Sequence, residues 1–267
     1  MPMPFPIDHD LHCHTRLSAC SADPGQTAER LLAHAAANGY TLQGVTDHLW
    51  DPLVPGASAW YAPQDIELIK KNLPLPEGGG VRMLFGCETE FCGGTKLALS
   101  PEHYDLFDFI VVPPDHFHMK GLVRPAACDT EEKAADLLVT RLEEISRLGL
   151  PWTRTGIAHM TCSLVFSEGD QYRVYDSVDE LRFRRVMAKF ARLGAGIEIN
   201  LSSFPDGWEE HEPSALALYR MAKEEGCRFY LASDAHHPRE LDFVPARAPA
   251  VVRRLGLTAA DLFVPSR

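Results

Sequence analysis

The sequence has no run of about 20 apolar residues, the length that spans a bilayer, so no membrane-spanning helix is expected. It has no CxxC pair. Its seven cysteines, Cys13, Cys20, Cys87, Cys92, Cys128, Cys162 and Cys227, are odd in number and scattered. That pattern argues against a disulfide framework and against a structural zinc site built from four thiolates. The opening segment MPMPFPIDHD carries neither a basic stretch nor a long apolar one, so no signal peptide is read there and a reduced, cytoplasmic setting is expected. Glycine- or serine-rich linkers, internal repeats and low-complexity segments are missing too. Positive charge is in short supply: 26 Lys+Arg stand against 37 Asp+Glu, for a formal net charge of −11. Such a balance speaks against non-specific binding to nucleic acid or to an anionic membrane.

What is present is a chain of 267 residues, 45% hydrophobic, with ample material for a core. One domain over residues 1–267 is the simplest division. Strand signals fall at residues 7–14, 41–47, 81–88, 107–112, 155–159, 196–201 and 228–234. Helical periodicity fills most of the gaps, at residues 26–38, 63–73, 131–148, 178–193, 214–225 and 247–255, several of them closed by glycine. A small hairpin is read at 90–99, and long loops at 49–63, 113–130 and 160–176. Strands alternating with helices imply a parallel sheet. The expected α/β fold is a TIM-like (β/α)7 barrel in a single domain, with an open doubly wound sheet as the alternative.

In parallel barrels the site gathers at the C-terminal ends of the strands. Metal-binding residue types recur there. On the first strand His12 and His14 share a face, about 7 Å apart at ~3.3 Å per residue. The second strand ends in Asp47-His48, the third in Glu88 with Glu90 beyond it, and the fourth leads to Asp115, His116 and His118. The fifth ends at His159, and the seventh in Ser233-Asp234-Ala235-His236 followed by His237. A lone histidine at a strand end ordinarily caps a loop, and a lone Asp caps a helix. His9, His34, His103 and His211 fall off these positions and are read as ordinary structural histidines. Cys87, Cys162 and Cys227 flank apolar runs and are read as packing residues. The convergence of imidazoles and carboxylates from several strands on one face is what points to metal, because unpaired buried groups of this kind are costly. The mixture suits zinc, manganese or iron in a catalytic setting, with two or three ions and Glu88 able to bridge. Clustered ions lower the pKa of bound water and stabilise the oxygens of a phosphoryl centre.

The ordered set Asp10-Leu11-His12-Cys13-His14-Thr15, Thr46-Asp47-His48, Gly86-Cys87-Glu88, His116, Ile157-Ala158-His159 and Ser233-Asp234-Ala235-His236 resembles the PHP family, named for polymerase and histidinol phosphatase. The resemblance spans residues 8–237. It implies a distorted (β/α)7 barrel, a trinuclear metal centre and a metal-dependent phosphoesterase. By position it implies His12, His14, His48, Glu88, His116, His159, Asp234 and His236 as ligands, with Glu198 and Asn200 lining the site. The family often places a His or Asp five or six residues after the HxH pair. Here Ala19 and Cys20 stand there, so either Cys20 or Asp23 is left to complete the shell. His116 and His118 compete for one position, and His116 is nearer the strand end.

The expected activity is hydrolysis of a small-molecule phosphate ester, monoester or diester. Asp234, His236 and His118 are the candidate catalytic groups, with His118 or His237 near enough to protonate a leaving oxygen. Arg16, Lys120 and Arg239 are the candidate phosphate-binding residues. The alternatives are a metal-dependent amidohydrolase, disfavoured because no lysine stands at a strand end to bridge metals, and a non-catalytic metal-binding barrel.

Overall fold

The computed structural model describes residues 3–166 and 168–267. Ser167, inside the segment read as a loop over 160–176, and the first two residues of the opening segment lie outside the described residues. In chain order the elements begin with β1 (His9–Asp10), α1 (Ala28–Ala37), β2 (Leu42–Val45), β3 (His48–Leu49), α2 (Ile66–Ile69) and β4 (Arg82–Thr89). A two-stranded hairpin, β5 (Phe91–Gly93) and β6 (Lys96–Leu97), follows, then β7 (Phe109–Val112), α3 (Glu131–Ile145) and β8 (Thr155–Ile157). The chain continues through α4 (Gln171–Asp176), α5 (Glu180–Leu193), β9 (Gly196–Asn200), α6 (Glu212–Glu224), β10 (Arg228–Ala232) and α7 (Phe243–Leu255).

The strands pair in parallel in the order β1-β2-β4-β7-β8-β9-β10, with β3 adding to β4 just past β2. The two ends of this path meet. Leu11 N–H donates to Leu231 O at 3.0 Å, Asp234 N–H to His12 O at 2.8 Å, and His14 N–H to Ala235 O at 3.0 Å. The sheet is therefore a nearly closed barrel of seven parallel strands, as the sequence led one to expect, and not the open doubly wound sheet. Only His9–Asp10 of the long first strand pairs regularly with β2, at Leu42 and Gln43. Beyond that point the HxH segment is held between Thr46, whose N–H donates to Cys13 O at 2.9 Å, and the extension of β10.

Strand residues alternate between two apolar clusters, as the pleat requires. Ile110, Val112, Ile197, Ile199, Phe229 and Leu231 join the large cluster shared with the helices. Leu84, Phe109, Val111, Tyr230 and Ala232 join a smaller one capped by Phe263. Gly156 sits where a side chain would collide with Tyr230 and Phe109, so its lack of Cβ lets those rings fill the barrel.

The helices follow sequence signals. Thr27, Thr130 and Asp179 cap α1, α3 and α5 through their side chains, and Gly194 ends α5 at φ 82°. Helix α4 lies in a segment read as loop. It has only 6 residues, capped by Asp170, and is anchored by buried Val174 and Tyr175. So short a helix shows no periodicity to recognise. No helix among the described residues is long and apolar enough to cross a membrane.

Candidate metal centre

The strand ends bring their ligand-type residues around one carboxylate, Glu88. Its Oε2 lies 3.4 Å from His12 Nε2, 3.4 Å from His14 Nε2 and 2.8 Å from His48 Nδ1. Its Oε1 lies 3.1 Å from His159 Nε2 and 3.4 Å from His116 Nε2. Asp234 Oδ1 completes the inner face, 3.6 Å from His12 Nε2 and 3.4 Å from His14 Nε2. Three groupings result: His12 with His14 and Asp234, Glu88 with His116 and His159, and His14 with His48 and His236. Within each, the candidate donor atoms lie within 4.8 Å of one another. A further grouping, Asp115 with His159 and Cys162, lies behind the second.

Five of the six inward imidazoles are held from behind. His12 Nδ1–H donates to Glu198 Oε2 at 2.8 Å, His159 Nδ1–H to Asp115 Oδ1 at 2.8 Å, and His116 Nδ1–H to Glu90 Oε2 at 2.7 Å. His14 Nδ1–H donates to Ser18 Oγ at 2.9 Å, whose hydroxyl donates to Asp47 Oδ1 at 2.7 Å. His236 Nδ1–H donates to the carbonyl of Asp234, two residues back, at 2.9 Å. A proton committed to Nδ1 leaves the Nε2 lone pair free, and these lone pairs point inward. His12 Nε2 and His14 Nε2 face each other at 3.1 Å. His48 presents Nδ1 instead. That atom is buried and makes no hydrogen bond, although Glu88 lies beside it. Converging lone pairs and an orphaned buried nitrogen fit a set of divalent cations, since metal-bound histidines take this outer support.

The electrostatics agree. Burial opposes the charge on Glu88, but His48, His12 and His116 hold its carboxyl well below the usual range. Asp234 is likewise lowered against its burial, chiefly by His12. Burial also works against charging His12, yet Glu198, Glu88 and Asp234 raise its pKa well above the ordinary value. His14 shifts the other way, pushed down by burial and by His236 and His48. Asp234 is the one non-glycine residue at positive φ among the described residues, at 54°. This conformation is uncommon for Asp outside turns and is the kind of local strain found at functional positions. Asn200 Nδ2–H donates to Asp234 Oδ2 at 3.1 Å and to Glu198 Oε1 at 3.0 Å, tying the two carboxylates together.

The remaining candidate residues separate. Cys20 lines the mouth cavity and its thiol faces His236 and His48. Burial would raise it, but these imidazoles lower its pKa to about 6. Asp23 turns away, bonding Gly25 N–H at 2.7 Å and pairing with His237 Nε2 at 3.0 Å. His116 points at Glu88, whereas His118 sits on the rim of the cavity. Arg16 and Arg239 are exposed and line no part of the mouth. Lys120 lies outside it, paired with Glu168 at 2.6 Å. Cys87 and Cys227 are buried in the core, while Cys162 also donates to Asp115 Oδ2 at 3.1 Å, behind His159. His9, His34 and His103 bond Leu231 N–H, Asp242 and Asp51, and His211 stacks on Tyr172. Glu90, Asp115 and Ser18 orient ligands but carry no separate signal in the sequence. Glu90 and Asp115 stood among the strand-end residues, and Ser18 had no mark at all.

No protein-family model and no curated protein matches the chain. Among solved structures it is similar to histidinol phosphate phosphatase (HisK) from Lactococcus lactis, crystallised with zinc, L-histidinol and phosphate. The TM-score is 0.57 at 14% identity, covering 96% of this chain and 98% of that one. A Listeria monocytogenes protein assigned as histidinol phosphatase HisK is similar at TM-score 0.54 and 13% identity, covering 87% of this chain and 96% of the other. The fold of this chain is thus the fold of the histidinol phosphatases, over nearly the whole length of either chain.

Proposed function

We propose that this protein is a metal-dependent phosphoesterase of the PHP type, acting on a small-molecule phosphate ester. The observation that carries the reading is the ring of inward lone pairs around Glu88, those of His12, His14, His116 and His159 each fixed by a partner on the opposite nitrogen. Ions bound there would supply an activated water and a Lewis-acid clamp on the phosphoryl oxygens. His12, His14 and Asp234 would hold one ion, and Glu88, His116 and His159 a second. His48 and His236 gather at the mouth for a third, where we assign Cys20 as the additional ligand. Zinc, manganese and iron suit this mixture of imidazole, carboxylate and one thiolate.

The chain's own residues then do three things. Glu198, Asp115, Glu90 and Ser18 keep the imidazole tautomers fixed, so the donor atoms are already in place when metal arrives. Asn200 holds Asp234 and Glu198 in one orientation. His118 belongs to none of the three groupings and lines the cavity, which makes it the group best placed to pass a proton to the leaving oxygen. With Arg16 and Arg239 away from the mouth and Lys120 tied to Glu168, neutralising phosphoryl charge falls to the metals.

The reading is tested by offering zinc- or manganese-loaded protein p-nitrophenyl phosphate, its bis ester and a panel of amides. Cleavage of a phosphoester that disappears on chelation is expected. Hydrolysis confined to amides would replace the reading with an amidohydrolase, and full loading without turnover would leave a metal-binding barrel.

A further inference from the structure

The mouth of the centre is a cavity of about 270 Å³. Apart from the metal-facing groups and Cys20, its walls are Trp60, Tyr61, His118, Met119 and Leu164. Among the described residues no lysine or arginine lines it, and its carboxylates, Glu88 and Asp234, both belong to the metal groupings. Glu90, just behind, is committed to Tyr61 Oη at 2.6 Å and His116 Nδ1 at 2.7 Å. A second cavity of about 380 Å³ shares Trp60, His118 and Met119 and extends outward over Leu122 and Ser58. Lys120 stands at its edge, paired with Glu168.

Trp60 is the distinctive wall. Trp50 and Trp208 are covered, at 2% and 4% exposure, and Trp152 is partly buried, whereas Trp60 is 40% exposed. Its ring is braced edge-on by Tyr61, at 4.7 Å and 85° between rings, and by His48, at 5.3 Å and 67°. An indole held rigid at the lip of a reaction centre offers a flat apolar face at little entropic cost.

We propose that the leaving group of the substrate is an uncharged aromatic ring system, seated against Trp60 and Met119. This inference rests on the phosphoesterase reading above. It is a statement about charge as well as shape. A substrate whose alcohol carries an ammonium group would find no free carboxylate here to receive that charge, and the attraction of the indole face returns only part of its desolvation cost. A second phosphate would find no lysine or arginine in the mouth among the described residues, and would reach only Lys120, at the outer cavity, already paired with Glu168. A neutral ring meets neither penalty and gains the stacking contact.

Binding of non-hydrolysable phosphonates to the metal-loaded full chain tests this without depending on turnover. Benzylphosphonate, butylphosphonate and 4-aminobutylphosphonate are compared by calorimetry. The ring should bind about five- to tenfold more tightly than the butyl chain, from the added aromatic contact. The ammonium compound should bind most weakly. Trp60→Ala should bring the benzyl-to-butyl ratio close to one with metal content unchanged, and Trp60→Phe should keep part of the preference. Equal affinity for benzyl and butyl in the native protein overturns the inference. So does a preference that survives Trp60→Ala, or tightest binding of the amine. Those results leave the phosphoesterase reading standing. Failure of all three phosphonates to bind a fully loaded protein removes that reading and this inference with it.

Discussion

His12 Nε2 and His14 Nε2 lie 3.1 Å apart, and each ring is held by an acceptor behind its Nδ1, Glu198 for His12 and Ser18 for His14. Two imidazole lone pairs at that distance repel unless a cation lies against them. The supports therefore prepare the site before metal arrives. Glu198 also accepts from Tyr230 Oη at 2.9 Å and from His159 N–H at 3.2 Å, so one buried carboxylate steadies two strand ends. Glu198→Gln keeps the shape but weakens the hold on the tautomer of His12. A loss of metal affinity of about 10- to 100-fold is expected, measured by competition with a chromophoric chelator. Unchanged affinity would mean that His12 is fixed by packing alone.

Cys20 stands where the PHP resemblance leads one to expect His or Asp, and its thiol faces His48 and His236. Thiolate ligation has an optical signature that oxygen and nitrogen ligands lack. Cobalt-loaded protein is expected to show a thiolate-to-cobalt charge-transfer band in the near ultraviolet. In Cys20→Ser that band should vanish while the visible ligand-field bands persist. Identical spectra in the two proteins would take Cys20 out of the coordination shell.

Much of this centre was legible in the chain because barrel strands end on one face, so residue type plus strand end predicts convergence. His12, His14, His48, Glu88, His116, His159, Asp234 and His236 all meet that condition. What the sequence conceals is which partner stands behind each ring. Ser18 supports His14 from a loop four residues on, and Asp115 supports His159 from 44 residues away. Only the tertiary fold sets those pairs. Arg16, Lys120 and Arg239 do not line the mouth for a related reason: proximity in sequence to a ligand says nothing of the direction a long side chain takes.

Metal removal should reverse the pH dependence of stability. Burial opposes the charge on His236, but Cys20 and Asp234 beside it raise its pKa to about 9. The folded value exceeds the unfolded value of about 6.5. The stabilisation is then complete below about pH 6.5 and is lost as pH rises through about 9. Cys20 opposes His236, because its pKa is lowered to about 6 and its contribution grows over the same window, but His12, His48 and His159 are shifted in the direction of His236 and His14 against them. Metal-free protein is expected to lose Tm as pH rises above about 6.5, through the raised His12, His48 and His159. Metal-loaded protein should gain over the same window, because ligands bind only when deprotonated. Glu88 and Asp234 act at the acid end: both carboxyls are lowered, so their contribution is present at neutral pH and lost on acidification. Calorimetric scans with chelator and with zinc make the comparison, and parallel slopes would count against the centre.

Gly44 lets β2 lie close against the first strand, since a Cβ there would collide with the carbonyl group of Leu11. Gly44→Ala must push the HxH segment outward. Overpacking of this kind costs about 1–3 kcal/mol, or very roughly 2–4 °C of Tm per kcal/mol in a protein of this size. Metal affinity should fall together with Tm, because the displaced backbone carries His12 and His14. A drop in Tm with metal affinity intact would show that the segment moves as a rigid unit.

The central claim couples metal occupancy to phosphoester cleavage. Metal-stripped protein is titrated with zinc or manganese while bound metal and release of p-nitrophenol from phosphate esters are followed in the same samples. Cleavage rising in step with occupancy, and absent from His14→Ala at matched metal concentration, is the expected result. A fully occupied native protein that leaves every phosphate ester intact, or a His14→Ala variant that cleaves as well as native, would contradict it.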